Sequence, residues 1–565
     1  MRFIIILALL FSTSLFFGQK KYPTKDFRNP LDIKTILAGT FGELRTNHFH
    51  AGLDIKTQQK EGLKVYAVAD GYISRIKVAL WGYGKVIYIT HPNGYTTVYA
   101  HLSKFGNGIE EYVKSIQYKK ESYETGNIFL KPNQLSVKKG QIIAYSGSTG
   151  GFVSPHLHYE IRDTKTEKII NPFLFGIKVK DTIAPKLKGL FVYPLTDSTR
   201  INKSIKKSLL SFKSIGNNIY TTNRINAKGP IGFGVNVYDQ LNGAYNKNGI
   251  YSLEMTVNGH KVYHHVLETF SFSESKYINL LIDYENYARF KNKFQKTFKE
   301  KSSKLKIYKS LLNNGIINIK NGFNYTVEII ASDFSGNKTK VRIPVKGVES
   351  NAVFRQAKDT TNYKITAAKF HKFEQNGVSI AFPKNTFYND VYLDFNVENN
   401  IAEIHNSRIP LDKSYTLTFD VSMYTEDEKN QMYIANINNK KYPSYQNTRK
   451  KGNKFYTTTK TFGKYTLLSD KQNPTIKLIN FKNGQWITNQ NKIIIKIDDK
   501  TSGIKSYTAT LDGEWILMEY NLKKKQIVYH FKDKKLVGAK HQLEIVVEDN
   551  VGNTNTLNAT FYKKE

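Results

Sequence analysis

The sequence predicts a mainly β protein of several domains, and three observations carry that expectation. At 565 residues the chain is too long for one hydrophobic core. Short β-prone runs bounded by glycine, asparagine or aspartate recur along its length, with helical spacing confined to two segments. After residue 186 the chain contains an internal repeat, which in a β-rich chain reads as a duplicated sandwich module. The expected architecture is an N-terminal antiparallel β-sheet domain followed by about three β-sandwich modules, the first with a helical insertion.

The chain opens "MRFIIILALLFSTSLFFGQKKYP", with Arg2, an apolar run from Phe3 to Phe17, then Gly18 and lysines. That layout is a signal peptide over 1–18, too short for a comfortable membrane span. Phe16 stands where a small residue is usual before a cleavage point, so an uncleaved anchor is the alternative. No later run is apolar enough to cross a bilayer, so a protein of the periplasm, cell envelope or exterior is expected.

The first domain is expected over 19–180. Its runs include "LKVYAVADGYISRIKVAL", "GKVIYITHPNGYTTVYAHL" and "GQIIAYSG", and Asn93-Gly94 between two alternating runs marks a hairpin. The segment 106–134 breaks the alternation and reads as a partly helical insertion. After "DTIAPK" the repeat begins. "FGVNVYDQLNGAYNKNGIYSLEMTVNG" (233–259) is echoed by "IIIKIDDKTSGIKSYTATLDG" (493–513), and "VEIIASDFSGN" (327–337) by "LEIVVEDNVGN" (543–553). This gives immunoglobulin-like sandwiches at 184–347 and 471–565. Between them, 348–470 reads as a different β-sandwich with nothing catalytic in it. Tyr287, Phe290, Phe294 and Phe298 recur at helical spacing, so an amphipathic helix is expected within 284–310.

The chain has no cysteine, which excludes disulfides, thiolate metal sites and lipid attachment through an N-terminal cysteine. Its net charge of +37 is spread throughout rather than gathered in a patch. This points to a lysine-rich composition suited to an anionic envelope and away from nucleic acid.

Six of the thirteen histidines fall between 48 and 158. A hydrolytic zinc centre needs three protein ligands and an open position. "HFHAGLDIK" offers His50 and Asp54, with Gly52 between them to let the chain bend toward one ion. "SPHLHYEIR" offers His156 and His158 on one face of a strand. "VYAHLSK" adds His101 at a strand end. His48 has the wrong spacing to Asp54 and reads as a rim residue. Glu160 shares the face of the histidine pair, either supporting a ligand from behind or lying as a solvated rim carboxylate.

"GTFGELRTNHFHAGLDIK", "VYAVADGYISRI", "GYGKVIYITHPNGYTTVYAHLSK", "VKKGQIIAYSGSTGG" and "PHLHYEIR" together resemble the M23 zinc metallopeptidases, the lysostaphin-like or LytM-type peptidoglycan endopeptidases, over about 38–173. The resemblance implies one Zn²⁺ held by His50, Asp54 and His158, with His101 and His156 as the catalytic, non-ligand histidines. It implies hydrolysis of peptidoglycan peptide cross-links through a zinc-activated water. Ser154 stands where the family usually has glycine, which bears on loop shape and substrate fit. The segment 106–134 replaces a short connector, so it either walls the groove or is a plain surface insertion. Two other functions suit the sequence. One is a non-catalytic LytM-type regulator that binds envelope partners or activates another wall hydrolase. The other is a protein-directed protease or extracellular bacteriolytic factor. In each, the C-terminal sandwiches could hold envelope proteins.

Overall fold

Alternation along the strands of the first domain builds a seven-strand antiparallel path. In chain order its strands are β1 (Leu37–Gly39), β2 (Leu53–Lys56), β3 (Gly71–Val78), β4 (Lys85–Thr90), β5 (Tyr95–Leu102), β6 (Gly126–Phe129) and β7 (His156–Asp163). They lie side by side as β1-β2-β7-β5-β4-β3-β6. The computed structural model describes residues 22–151, 154–349 and 360–564. The expected signal peptide lies outside these residues. The protein is mainly β, with an N-terminal sheet domain followed by further β-rich domains. Among the described residues no helix is long and apolar enough to cross a membrane.

The central strand β7 is buried on both faces. Leu157, Tyr159 and Ile161 point into the main core with Leu53, Ile55 and Tyr99. The alternate residues, His156, His158, Glu160 and Arg162, necessarily take the other face. β4 and β5 are joined by the tight turn through Asn93-Gly94, where Gly94 adopts φ 83°. In the 106–134 segment, helix α1 (Ile109–Lys120) buries Ile109, Val113 and Gln117, and β6 then pairs with the far end of β3. Acidic residues open α1 and lysines close it, which complements the helix dipole.

The next module completes the first. Its principal strands include β9 (Lys186–Pro194) and the 14-residue β10 (Ile225–Tyr238). β10 pairs antiparallel with β9 along one part and parallel with β14 (Lys338–Gly347) along another, so one strand serves two sheets. β14 pairs in turn with β13 (Asn324–Ser332). Strand β8 (Ile169–Ile170), a neighbour of β7, continues the first sheet into β11 (Thr269–Phe270) of the second module. Three short helices follow, α2 (Phe272–Ser275), α3 (Ile278–Leu281) and α4 (Tyr284–Phe290). Leu267, Phe270, Ile278, Leu281 and Ile307 belong to the same hydrophobic cluster as the first domain's core, and so does Leu517 near the C-terminus.

The helix expected within 284–310 is shorter than its aromatic spacing suggests. α4 ends at Phe290, Lys291 turns into left-handed backbone at φ 60°, and Phe294–Lys296 forms strand β12 against β10. Phe294 and Phe298 are buried against Phe191 and Tyr193, whereas Phe290 stays 59 % exposed. Pairing and aromatic burial on the sheet override a weak helical preference.

Further along, two five-stranded sheets enclose a core between Ile365 and Tyr465. A four- and a five-stranded sheet enclose another between Phe481 and Phe561. The latter pair includes β15 (Lys492–Asp498) and β16 (Lys540–Asp549).

Candidate metal centre

Register across β2, β7 and β5 assembles the centre. His158 lies directly opposite Asp54 on one side and Ala100 on the other. His50 precedes β2 and reaches back over the same face. Gly52, between His50 and Asp54, runs so close to β7 that a β-carbon there would sit 2.3 Å from the Tyr159 carbonyl oxygen. Glycine is needed at this point for close approach of two backbones.

Three acceptor atoms converge. His50 Nε2 is 3.0 Å from Asp54 Oδ1 and 3.2 Å from His158 Nδ1, and His158 Nδ1 is 2.9 Å from Asp54 Oδ1. The opposite nitrogen of each imidazole donates elsewhere. His50 Nδ1–H donates to the Thr40 carbonyl at 2.7 Å, and His158 Nε2–H donates to Glu160 at 2.9 Å. With those protons so placed, two ring lone pairs and a carboxylate oxygen face one another with no donor among them. A cation resolves that arrangement, and two imidazoles with one carboxylate form a donor set that suits zinc. Without one, a proton must serve. Burial works against charging His158, yet hydrogen bonds with Asp54 and Glu160 push it up to about 9. Asp54 is held well below the usual carboxylate range, against its burial, by His50 and His158.

Three charged or phenolic groups behind this face had no signature in the sequence reading. Arg45 Nη2 donates to Asp54 Oδ2 at 2.9 Å, fixing the oxygen that faces away from the histidines. Glu160 is fully buried and takes hydrogen bonds from His158, from the Tyr83 hydroxyl and from Arg162 Nε at 2.7 Å. Glu160 is thus a buried support, and the rim reading of it does not hold. Arg162 follows it at the next position on the same face.

His101 and His156 stand beside the trio. Their ring centroids are 4.8 Å apart, and His156 Nε2 is 3.7 Å from Asp54 Oδ1. His101 Nδ1–H donates to the Thr149 carbonyl and His156 Nδ1–H to the Ser154 carbonyl, each at 3.0 Å. Ser154 therefore contributes its backbone to the site. A bulge turns His101 inward. Lys85 pairs with Leu102 and Ile87 with Tyr99, so β5 carries one residue more than β4 over that interval. His101 takes left-handed backbone there, φ 61°, which is costly for a residue other than glycine. Burial, then the neighbouring His158 and His156, lower His101 to about 2, and burial lowers His156 as well. His48 is exposed, bonds the Thr46 carbonyl and is not one of the converging groups.

Residues 48–120 match the family described as Peptidase family M23, and residues 362–470 match a Zu5-like domain. Among curated proteins, the DD-carboxypeptidase/endopeptidase Mpg of Neisseria meningitidis serogroup B is 38 % identical over 119 residues, 21 % of this chain and 21 % of Mpg. The murein hydrolase activator NlpD of Escherichia coli is 32 % identical over 153 residues, 27 % of this chain and 32 % of NlpD. The chain thus spans a fifth to a third of the length of these relatives. Among solved structures, the catalytic domain of lysostaphin from Staphylococcus simulans aligns with 24 % of this chain and 87 % of its own, at 26 % identity and a TM-score of 0.18. The N-terminal domain of this chain thus carries the match to peptidase family M23, over residues 48–120.

Proposed function

We propose that the chain is an exported zinc metalloendopeptidase that hydrolyses peptide cross-links of bacterial peptidoglycan. The observation that carries the reading is the set of three mutually facing acceptors, His50 Nε2, Asp54 Oδ1 and His158 Nδ1, with no donor between them. These atoms would hold the zinc. When bound, the ion supplies a Lewis acid that polarises a carbonyl and brings the pKa of water toward about 7.

The protein's own groups supply orientation and proton transfer. Thr40 and Glu160 hold the two imidazoles in the tautomers that present a lone pair, and Arg45 holds Asp54. His101 and His156 are neutral, with Nδ1–H engaged by backbone carbonyls, so each offers Nε2 as an acceptor. They can take a proton from an attacking water and return it to the leaving amine. The similarity to a protein described as a DD-carboxypeptidase/endopeptidase supports a peptide bond of peptidoglycan as the substrate. The net charge of +37 suits an anionic envelope.

His158→Ala in the full chain is expected to abolish both bound zinc, measured by elemental analysis, and release of soluble muropeptides from purified sacculi. Hydrolysis persisting in a metal-free variant would refute the reading.

One observation favours the second reading, a non-catalytic regulator. All five side chains of the centre belong to residues no more than 9 % exposed, so a peptide needs an opening to reach them. Wild-type chain that binds zinc but leaves sacculi intact would establish that alternative.

A further inference from the structure

Two groups of carboxylates outside the zinc centre have no basic partner. Asp181, Asp239 and Asp333 bring one oxygen each within 4.8 Å of one another, and Asp470, Asp499 and Asp549 do the same in the last module. Among the described residues, no lysine, arginine or histidine side chain pairs with any of the six, in a chain with 84 lysines and arginines against 47 aspartates and glutamates. Like charges gathered out of water repel strongly unless something neutralises them.

The two groups occupy the same places in the repeat. Asp181 and Asp470 each stand four residues before a proline, Pro185 and Pro474, in the connector entering a module. Asp239 and Asp499 each follow directly on a strand, β10 and β15. Asp333 and Asp549 each open the Asp-x-x-Gly-Asn turn. Even their contacts agree. Asn337 donates to Asp333 from its backbone at 2.9 Å and from its side chain at 2.7 Å, and Asn553 repeats both distances on Asp549.

A separate observation points to a missing ligand. Asp239 is only 3 % exposed, and its Oδ1 meets no hydrogen-bond donor among the described residues. Asp239 is itself a member of the group, so a buried carboxylate with an orphaned oxygen stands beside two others. Neighbouring Asn248, 2 % exposed and bonded to Asp239 backbone to backbone, has no partner for its side-chain oxygen or nitrogen. In the last module Ser502, whose amide donates to Asp470 at 2.9 Å, has an orphaned buried hydroxyl.

We propose that each trio is a binding site for a hard divalent cation, calcium above all, which clamps the entering connector to its module. An all-oxygen donor set selects calcium or magnesium over zinc. Calcium keeps oxygens at about 2.3–2.6 Å, so two ligands of one ion can stand up to about 5.2 Å apart, and the oxygens of each trio lie within 4.8 Å of one another. The rival occupant is a proton. Burial, then Asp181, pushes Asp239 up to about 7, while burial and Asp333 raise Asp181 to about 6. A cavity of about 400 Å³, lined by Asp181, Asp239, Lys178 and Thr40 among others, adjoins the first trio.

The test is calorimetric titration of full-length, metal-depleted protein with calcium at pH 8, where protons compete least, after the zinc centre has been refilled with zinc. The expected result is two calcium ions per chain, with Kd on the order of 10⁻⁴–10⁻³ M as in extracellular calcium modules. Asp239→Asn, which removes no hydrogen bond from Oδ1, is expected to lower the count from two to one, and Asp239→Asn with Asp499→Asn to abolish binding. No heat from calcium, or a count unchanged by both substitutions, overturns the proposal. Should a variant not fold, the wild-type chain decides. Calcium at 5–10 times the expected Kd raises its melting temperature and EGTA reverses the rise, whereas an unmoved melting temperature overturns the sites.

Discussion

Glu160 has no exposed surface, and all three of its side-chain partners lie on or beside the face that carries the metal centre. Despite burial, Arg162 and then His158 hold its carboxyl down to about 2, so it is ionised throughout the neutral range. That charge keeps the His158 proton on Nε2. Glu160→Gln retains the volume but weakens that hold and leaves Arg162 beside a neutral amide. Zinc affinity is expected to fall about 10- to 100-fold, the usual effect of losing an outer-shell partner. Competition against a chromogenic chelator measures it, and unchanged affinity would show that Glu160 only fills space. Four of the five centre residues were legible in the sequence because His-x-His and His-x₃-Asp are local patterns, and His101 because it ends the strand that follows a marked hairpin. Arg45 and Tyr83 were not, because a single charged or phenolic residue acquires a partner only through contacts that spacing does not encode.

β5 is the element on which the sequence reading was least complete. The Asn93-Gly94 turn and the alternation before it identify the hairpin, but the extra residue at its far end carries no glycine to announce it. The bulge is paid for in backbone strain at His101, and it aims the ring at the centre. Asparagine tolerates left-handed backbone better than most residues, so His101→Asn separates the two roles. The variant is expected to melt within a few degrees of the parent while muropeptide release drops about 10²- to 10⁴-fold, the range of a lost general acid or base. A collapse in melting temperature with no loss of specific activity would make the ring structural. The 284–310 segment teaches the converse lesson. Its four aromatics fit a helix by count, and only the long-range pairing of β12 with β10 decides that two of them belong to a sheet.

At the scale of the whole molecule the first domain is not closed by its own residues. Leu267, Phe270, Ile278, Leu281, Ile307 and Leu517 are buried in its core, each contributing about 1.5–3 kcal/mol. Their sum is of the order of a whole domain's stability, about 5–15 kcal/mol. A chain ended at residue 180 is therefore expected to be insoluble or unfolded by circular dichroism, and a cooperative melt near that of the full chain would contradict the shared core. The carboxylate trios give a pH dependence of definite sign. Asp239 and Asp181 are raised above the ordinary carboxyl value, so between about pH 4 and pH 7 the native chain binds more protons than the unfolded one. Asp333 and Lys178 are the other charged groups at that site. In EGTA, stability should decline as pH rises through that window, and calcium should flatten the decline. Denaturant midpoints at pH 5 and pH 7.5 report both. Finally, the last module docks beside α1. Lys114 meets Asp533 at 2.5 Å, Tyr118 packs edge-on against Trp515, and the buried ammonium of Lys85 meets Glu519 at 2.9 Å across 434 residues of chain. Translation runs from the N-terminus, so the first domain is made first and finished last. A nascent or prematurely terminated chain carries His50, Asp54 and His158 yet lacks the later residues that complete the core of their domain, which ties formation of the candidate site to synthesis of the later modules.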